Sequence, residues 1–185
     1  SGVIEFEDSE KKDSATAIKK LKQRGIHCVM LTGDRSEIAE TFGESFGITE
    51  VHAEVLPGEK AGIISRYQDR GEIVAMVGDG INDAPALTQA NVGIALGTGT
   101  DIAMESGDIV LVKGDLAGVV RTAILAEATF KKIKQNLFWA FIYNVVAIPL
   151  AFLGLLHPVI AEGAMALSSI NVVWNSNRLR KTHLS

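Results

Sequence analysis

Val77-Gly78-Asp79-Gly80-Ile81-Asn82-Asp83-Ala84-Pro85 decides how this chain is read, because an apolar run over 73–77 ends abruptly in glycines, two carboxylates and an amide. A short apolar run closed by turn residues reads as a buried strand. Gly78 and Gly80 permit a tight turn where the strand stops. Asp79 stands at that stop, and Asp83 lies four positions on at the start of a helical segment, so both carboxylates can face one point. Hard oxygen donors of this kind suit Mg²⁺, which usually keeps some waters and is completed by a substrate phosphate. The competing reading of the same residues is a plain strand-to-helix turn in which Asp and Asn serve as caps.

Two further segments bear on that choice. Leu31-Thr32-Gly33-Asp34 closes a second apolar run, 26–31, at what should be the same carboxyl edge of a parallel sheet. Ligands of open α/β sheets bind along that edge. The Thr32 hydroxyl and the backbone amides at Thr32 and Gly33 are suited to a phosphoryl oxygen; an ordinary turn is the alternative. In Pro57-Gly58-Glu59-Lys60, Lys60 opens a helix and can set an ammonium against phosphate, the alternative being a solvated lysine.

Around these segments strand and helix alternate. Strands are expected near 3–6, 26–31, 50–53, 73–77, 92–95 and 109–112, with helices near 14–23, 36–46, 58–69, 85–89 and 101–105. Strands separated by helical patterns imply right-handed βαβ units, hence an α/β fold with a parallel, Rossmann-like sheet covered on both faces. No internal repeat or low-complexity tract interrupts the pattern.

Composition divides the chain in two. Residues 1–130 hold 12 Lys/Arg against 21 Asp/Glu, while residues 131–185 hold 6 against 1, within a net charge of −4. Between Gln135 and Asn177 the one charged residue is Glu162, and the apolar runs 137–156 and 159–174 fill that span. About 20 apolar residues cross a bilayer as helix, so the first run qualifies directly and the second with its flanks. The break at His157-Pro158 makes them a hairpin. Lys131, Lys132, Lys134, Arg178, Arg180 and Lys181 all lie at its open ends, which puts those ends in the cytoplasm, with Trp139 and Trp174 as anchors at the same interface. An amphipathic stretch from Asp115 leads into the first run and reads as a continuous stalk. The expected domains are therefore 1–114, α/β; 115–136, stalk; 137–177, transmembrane hairpin; and 178–185, basic tail.

Ser1 in place of Met points to a piece of a longer chain, and no targeting segment opens it. The single Cys28 forms no internal disulfide and reads as a small core residue. His27, His52, His157 and His183 share no ligand spacing and are read as incidental. Glu162 is read either as part of an exit path or as an interfacial carboxylate.

A threonine after one strand, a lysine opening a helix, and Gly-Asp-x-x-x-Asp after another strand resemble the haloacid dehalogenase phosphotransferase superfamily. The fuller string Gly78 to Leu87, Gly-Asp-Gly-Ile-Asn-Asp-Ala-Pro-Ala-Leu, together with Thr32-Gly33-Asp34, is similar to the phosphorylation domain of P-type ATPases. That resemblance implies catalytic and phosphate-binding roles for Thr32, Gly33, Asp34 and Lys60. It also implies Mg²⁺ held by Asp79 and Asp83, with Asn82 ordering the site, and ATP as the substrate of the whole enzyme.

Tyr143-Asn144 in the first apolar run, and Met165, Ser168 and Ser169 in the second, fall at mid-membrane depth, where polar groups are costly. A thioether is a soft ligand of the kind that selects Cu(I). The alternative is close helix packing through small residues with Asn144 as glue. The pairing of Tyr-Asn with Met-x-x-Ser-Ser, and the flanking 133–140 segment, resemble the copper(I)-exporting class of heavy-metal P-type ATPases. The resemblance implies Cu⁺ as cargo at Tyr143, Asn144, Met165, Ser168 and Ser169, membrane lipid as surroundings and a copper chaperone as partner; no nucleic-acid partner is expected.

The resemblance spans nearly the whole chain but covers only the C-terminal part of that architecture. The phosphorylated Asp of Asp-Lys-Thr-Gly-Thr is absent, as no Asp-Lys dipeptide occurs. Also absent are the nucleotide-binding and actuator domains and the Cys-Pro-Cys helix. The chain alone is therefore expected to be inactive and its sheet incomplete, with an open slot between the strands ending at Thr32 and Asp79. A split subunit completed by another chain, or a pump for another heavy metal, are the alternatives. Glu10, where an apolar residue is usual, and Arg35, where Asn or Asp is usual, depart from the pattern.

Overall fold

The computed structural model describes residues 9–78, 81–97, 105–154 and 157–182. The strand expected over 3–6, Asp79, His183 and nearly all of the helix expected over 101–105 lie outside them. The described chain runs α1 (Ser9–Gln23), β1 (Val29–Leu31), α2 (Ser36–Phe46), β2 (Glu50–His52), α3 (Pro57–Asp69) and β3 (Ala75–Gly78). A 3₁₀ turn (Ile81–Asp83), α4 (Ala84–Gln89), β4 (Val92–Leu96) and β5 (Ile109–Leu111) follow. The chain ends with α5 (Leu116–Phe152), α6 (Pro158–Asn177) and a 3₁₀ turn (Arg178–Lys181).

All ladders are parallel, as alternation of strand and helix requires. β1 pairs with β2 (Val29 opposite Glu50, Leu31 opposite His52), and β3–β4–β5 form a second sheet (Val77 opposite Ile94, Ala95 opposite Val110). Among the described residues no ladder joins β1 to β3, the place where a central strand was expected to be missing.

Local chemistry sets where elements begin and end. β1 starts three residues later than the apolar run suggests. Gly25, at φ 77°, reverses the chain, and the Ile26 amide returns to the Leu21 carbonyl, so Ile26 closes α1 instead of joining a ladder. β3 starts late for a related reason: the Val74 amide donates to Asn91 Oδ1 at 2.9 Å. α2 ends on Gly47 at φ 70°, whose amide returns to the last helical carbonyls. α3 opens with Pro57 in its first turn, and Glu59 reaches back to accept from the Leu56 amide at 3.1 Å.

The core of the α/β part gathers Ala39, Ile63, Ile64, Ala86, Leu87, Ile94 and Ala95, all buried. Cys28 is buried with them, and burial pushes its thiol pKa up, against an opposing pull from Lys22, as suits an inert core residue.

The chain separates into two compact units, Ser1–Val120 and Arg121–Ser185. The first turn of α5 belongs to the first unit, where Gly118, Val119 and Val120 are buried and Asp115 Oδ1 accepts from the Gly118 amide at 2.6 Å. In the second unit, α6 starts at Pro158, and His157 Nδ1 accepts from the Val159 amide. Near the other end of this pair, side-chain amides form a clasp between α5 and α6. Asn175 Nδ2 donates to Asn136 Oδ1 at 2.8 Å, Asn136 Nδ2 donates to Ser176 Oγ at 2.8 Å, and Lys132 Nζ donates to Asn175 Oδ1 at 2.9 Å.

Among the described residues, Leu116–Phe152 is the one helix long and apolar enough to cross a membrane by length and composition, and none of its apolar window is buried. Phe138, Phe141, Val145 and Ile148 are all exposed along it. So large a contiguous apolar surface is unusual on a protein that faces water.

Candidate functional site

The candidate site lies at the carboxyl ends of the strands. Thr32 follows β1, and its amide continues the ladder by donating to the His52 carbonyl at 3.0 Å. The Thr32 hydroxyl donates to Asp34 Oδ2 at 2.8 Å, and the Asp34 amide donates back to Thr32 Oγ1 at 3.2 Å. This small ring holds Thr32-Gly33-Asp34 as a turn with Gly33 exposed. Two further bonds tie that turn to the loop after β2: Val55 N to Thr32 O at 3.0 Å, and Glu54 N to Asp34 O at 2.9 Å.

Glu54 makes its bond from φ 57°, the one positive φ among non-glycine residues described. A left-handed residue with a Cβ is strained, and such strain concentrates where surrounding contacts over-determine a loop. No sequence signal marks Glu54, because the position carries none of the Gly or Asn that usually announce this conformation.

At the tip of β3, Lys60 in the first turn of α3 places Nζ 2.6 Å from Asp83 Oδ1. Asp83 is 8 % exposed, so the pair is largely desolvated, and each charge depends on the other. The approach needs Gly78: a Cβ there would sit 2.7 Å from Asp83 Cβ and 2.8 Å from Asp83 Oδ2. Asn82, beside Asp83, is exposed to solvent. Thus Gly78, Lys60 and Asp83 meet directly, Thr32, Gly33 and Asp34 form one turn, and Asp79 lies outside the described residues.

The polar residues of the apolar helices stand differently. Asn144 Nδ2 donates to the Ala140 carbonyl at 2.9 Å, and Ser169 Oγ donates to the Met165 carbonyl at 3.2 Å, each within its own helix. Tyr143 packs its ring near Trp139, Ser168 is half-buried, and Met165 is 72 % exposed. Among the described residues no hydrogen bond joins Tyr143 or Asn144 to Met165, Ser168 or Ser169.

His27 and His52, which spacing alone left without a role, meet at one carboxylate. His27 Nε2 lies 3.2 Å from Glu50 Oε2, His52 Nε2 lies 3.8 Å from Glu50 Oε1, and His52 Nε2 shares a 2.8 Å hydrogen bond with the Tyr67 hydroxyl. Tyr67 also donates to Glu50. Burial, then that hydrogen bond and the Glu50 charge, pushes the Tyr67 phenol up to about 12. Sequence separation hid the cluster, because Glu50 on β2 is reached from the β1 approach and from α3. His157, likewise read as incidental, caps α6. Among the described residues no three His, Cys, Asp or Glu side chains are arranged to hold a metal ion.

The haloacid dehalogenase-like hydrolase family matches residues 1–91. A copper-exporting P-type ATPase of Staphylococcus epidermidis is 53% identical over 184 residues, covering 100% of this chain and 23% of the relative. A probable copper-importing P-type ATPase A of Enterococcus hirae is also 53% identical, covering 98% of this chain and 25% of the relative. Among solved structures, a zinc-transporting PIB-type ATPase in its E2.Pi state superposes with a TM-score of 0.85 at 37% identity, over 90% of this chain and 27% of that one. The chain thus spans about a quarter of the length of the relatives it matches.

Proposed function

We propose, on the premise that the chain is homologous along its whole length to copper-transporting P-type ATPases, that it supplies the C-terminal portion of an ATP-driven Cu(I) export pump. In this reading residues 1–114 are most of a phosphorylation domain, 115–136 a stalk, 137–177 two membrane helices with both open ends cytoplasmic, and 178–185 a basic tail. The phosphorylated aspartate and the nucleotide-binding domain come from the rest of the pump, on the same chain or a separate one. A copper chaperone delivers the cargo.

The observation that carries the reading is the 2.6 Å contact between Lys60 and Asp83 beside Gly78, which brings two distant motif residues to one strand tip. Phosphoryl transfer leaves charge on the equatorial oxygens, and positioned cations and hydroxyls stabilise it. Thr32, Gly33 and Asp34 hold the phosphoryl oxygens, Lys60 offsets their charge, and Asn82 orders the loop. The donors present fit Mg²⁺: a buried carboxylate keeps one hard oxygen on Lys60 and turns the other over Gly78. Asp83 and Asp79 are the residues that would hold the ion, which when bound neutralises phosphate charge.

Cu⁺ is the substrate, taken by Met165 with Tyr143, Asn144, Ser168 and Ser169. The similarity to a zinc-transporting structure favours a second reading, a divalent cargo; the thioether of Met165 favours Cu(I). The test is Cu(I) flux into inside-out vesicles carrying the complete pump. Met165→Ala should reduce Cu(I) flux more than it reduces expression. Unchanged Cu(I) flux and stoichiometry, or faster Zn²⁺ than Cu(I) flux in the unaltered pump, would reject the copper assignment.

A further inference from the structure

We infer that the clasped end of the α5–α6 pair is a binding site for the headgroup phosphate of an anionic phospholipid, an inference that rests on the membrane reading above. Two basic clusters lie at this end, Lys131, Lys132 and Lys134 on α5, and Arg178 and Arg180 just past α6. They are far apart in sequence. The amide clasp sets them side by side, because Lys132 reaches Asn175 at 2.9 Å and Asn136 reaches Ser176 at 2.8 Å.

Carboxylates are few around them: Glu127 stands one turn before Lys131 on α5. Residues 128–185 contain one carboxylate, Glu162, which sits in the first turns of α6, toward the opposite end of that helix from the clasp. Among the described residues none of these five cations enters an ion pair. Lys132 is the sharpest case. Its ammonium is half-buried, and its recorded partners are two neutral amide oxygens, Asn175 Oδ1 at 2.9 Å and Gln135 Oε1 at 3.3 Å. An ammonium has three donors, so one remains for a further acceptor. A partly desolvated cation among neutral dipoles gains most from an anion.

The depth of the site identifies the anion's source. Trp139 follows the clasp residue Asn136 by three positions, and Trp174 precedes Asn175; both indoles are exposed. Exposed tryptophans beside basic residues mark the headgroup level of a bilayer, where anionic lipid is concentrated. A lipid phosphate is therefore the occupant, in preference to soluble phosphate.

The same tryptophans provide the test, since the chain has two, Trp139 and Trp174. The chain is reconstituted into vesicles mixing phosphatidylglycerol with phosphatidylcholine, with one lipid at a time brominated to quench indole fluorescence on contact. Brominated phosphatidylglycerol should quench more strongly than brominated phosphatidylcholine at equal mole fraction. That preference should fall about fivefold for each surface cation removed, in Arg178→Gln/Arg180→Gln and in Lys132→Gln, and should weaken with added salt in the unaltered chain. Restoration of the preference by Arg178→Lys/Arg180→Lys would show that charge, and not folding, is read. Equal quenching by both lipids would overturn the inference and leave the membrane reading intact. Absence of quenching by either would overturn the membrane reading itself, and the inference with it. A preference abolished by excess inorganic phosphate would mark a soluble-anion site and overturn the lipid assignment.

Discussion

At the scale of single residues, Arg35 shows how a departure from a motif acquires a physical meaning. It occupies the N-cap of α2 with extended backbone, and its side chain makes no capping hydrogen bond, because a guanidinium has no acceptor. Arg35→Asn should therefore stabilise the chain by about 1 kcal/mol, visible as a higher denaturation midpoint; an unchanged or lower midpoint would show that Arg35 has another partner in the assembled protein. Tyr67 gives a second prediction. Its ordinary pKa is near 10 and the fold raises it to about 12. The folded state therefore keeps a proton that the unfolded chain gives up first, so this contribution is complete below pH 10 and is lost as pH rises toward about 12. Tyr67→Phe should remove that part of the alkaline decline in stability; an identical decline in both proteins would place its cause elsewhere. Thr32, Lys60 and Asp83 stood out in the sequence as candidates because their residue types suit phosphate and Mg²⁺, and the structure brings Lys60 to Asp83. Glu54 and the Glu50 cluster went unseen, since strain and long-range hydrogen bonding leave no local pattern.

At the scale of elements, periodicity located most helices and strands within a residue or a few, and its failures share a cause. Ile26 and Val74 are apolar and adjoin true strands, yet helix closure takes the Ile26 amide and the Asn91 side chain takes the Val74 amide. Apolar character alone does not place a residue in a ladder: Ile26 and Ile73 are both exposed, and pairing is decided by which polar group reaches the backbone first. The long helix α5 continues through Pro149, which removes one amide donor and leaves the apolar surface unbroken. Along that surface Val145 is exposed, as lipid contact would require. Val145→Lys should cost about 2.5–3.5 kcal/mol of membrane insertion, read as a smaller inserted fraction in a glycosylation-mapping assay of the hairpin. Equal insertion would mean that this face of α5 is not in lipid.

At the scale of the whole molecule, the chain divides into two compact units after Val120, and the described ladders of the first are β1–β2 and β3–β4–β5. Among the described residues no ladder joins β1 to β3, and it is between these two that the absent Asp-Lys-Thr-Gly-Thr motif leads a strand to be expected missing. Thr32-Gly33-Asp34 follows β1 and Asp83 follows β3, so in the proposed pump a strand bearing the phosphorylated aspartate would enter between them. The central claim is that Lys60, locked on Asp83, stabilises a transferring phosphoryl group once that strand is in place. Its most direct test is Cu(I)-stimulated, Mg²⁺-dependent ATP hydrolysis by the complete pump, expressed per folded molecule, with and without Lys60→Ala. The account predicts a loss of about 10²–10³-fold with Cu(I) binding retained; hydrolysis at the unaltered rate would contradict it.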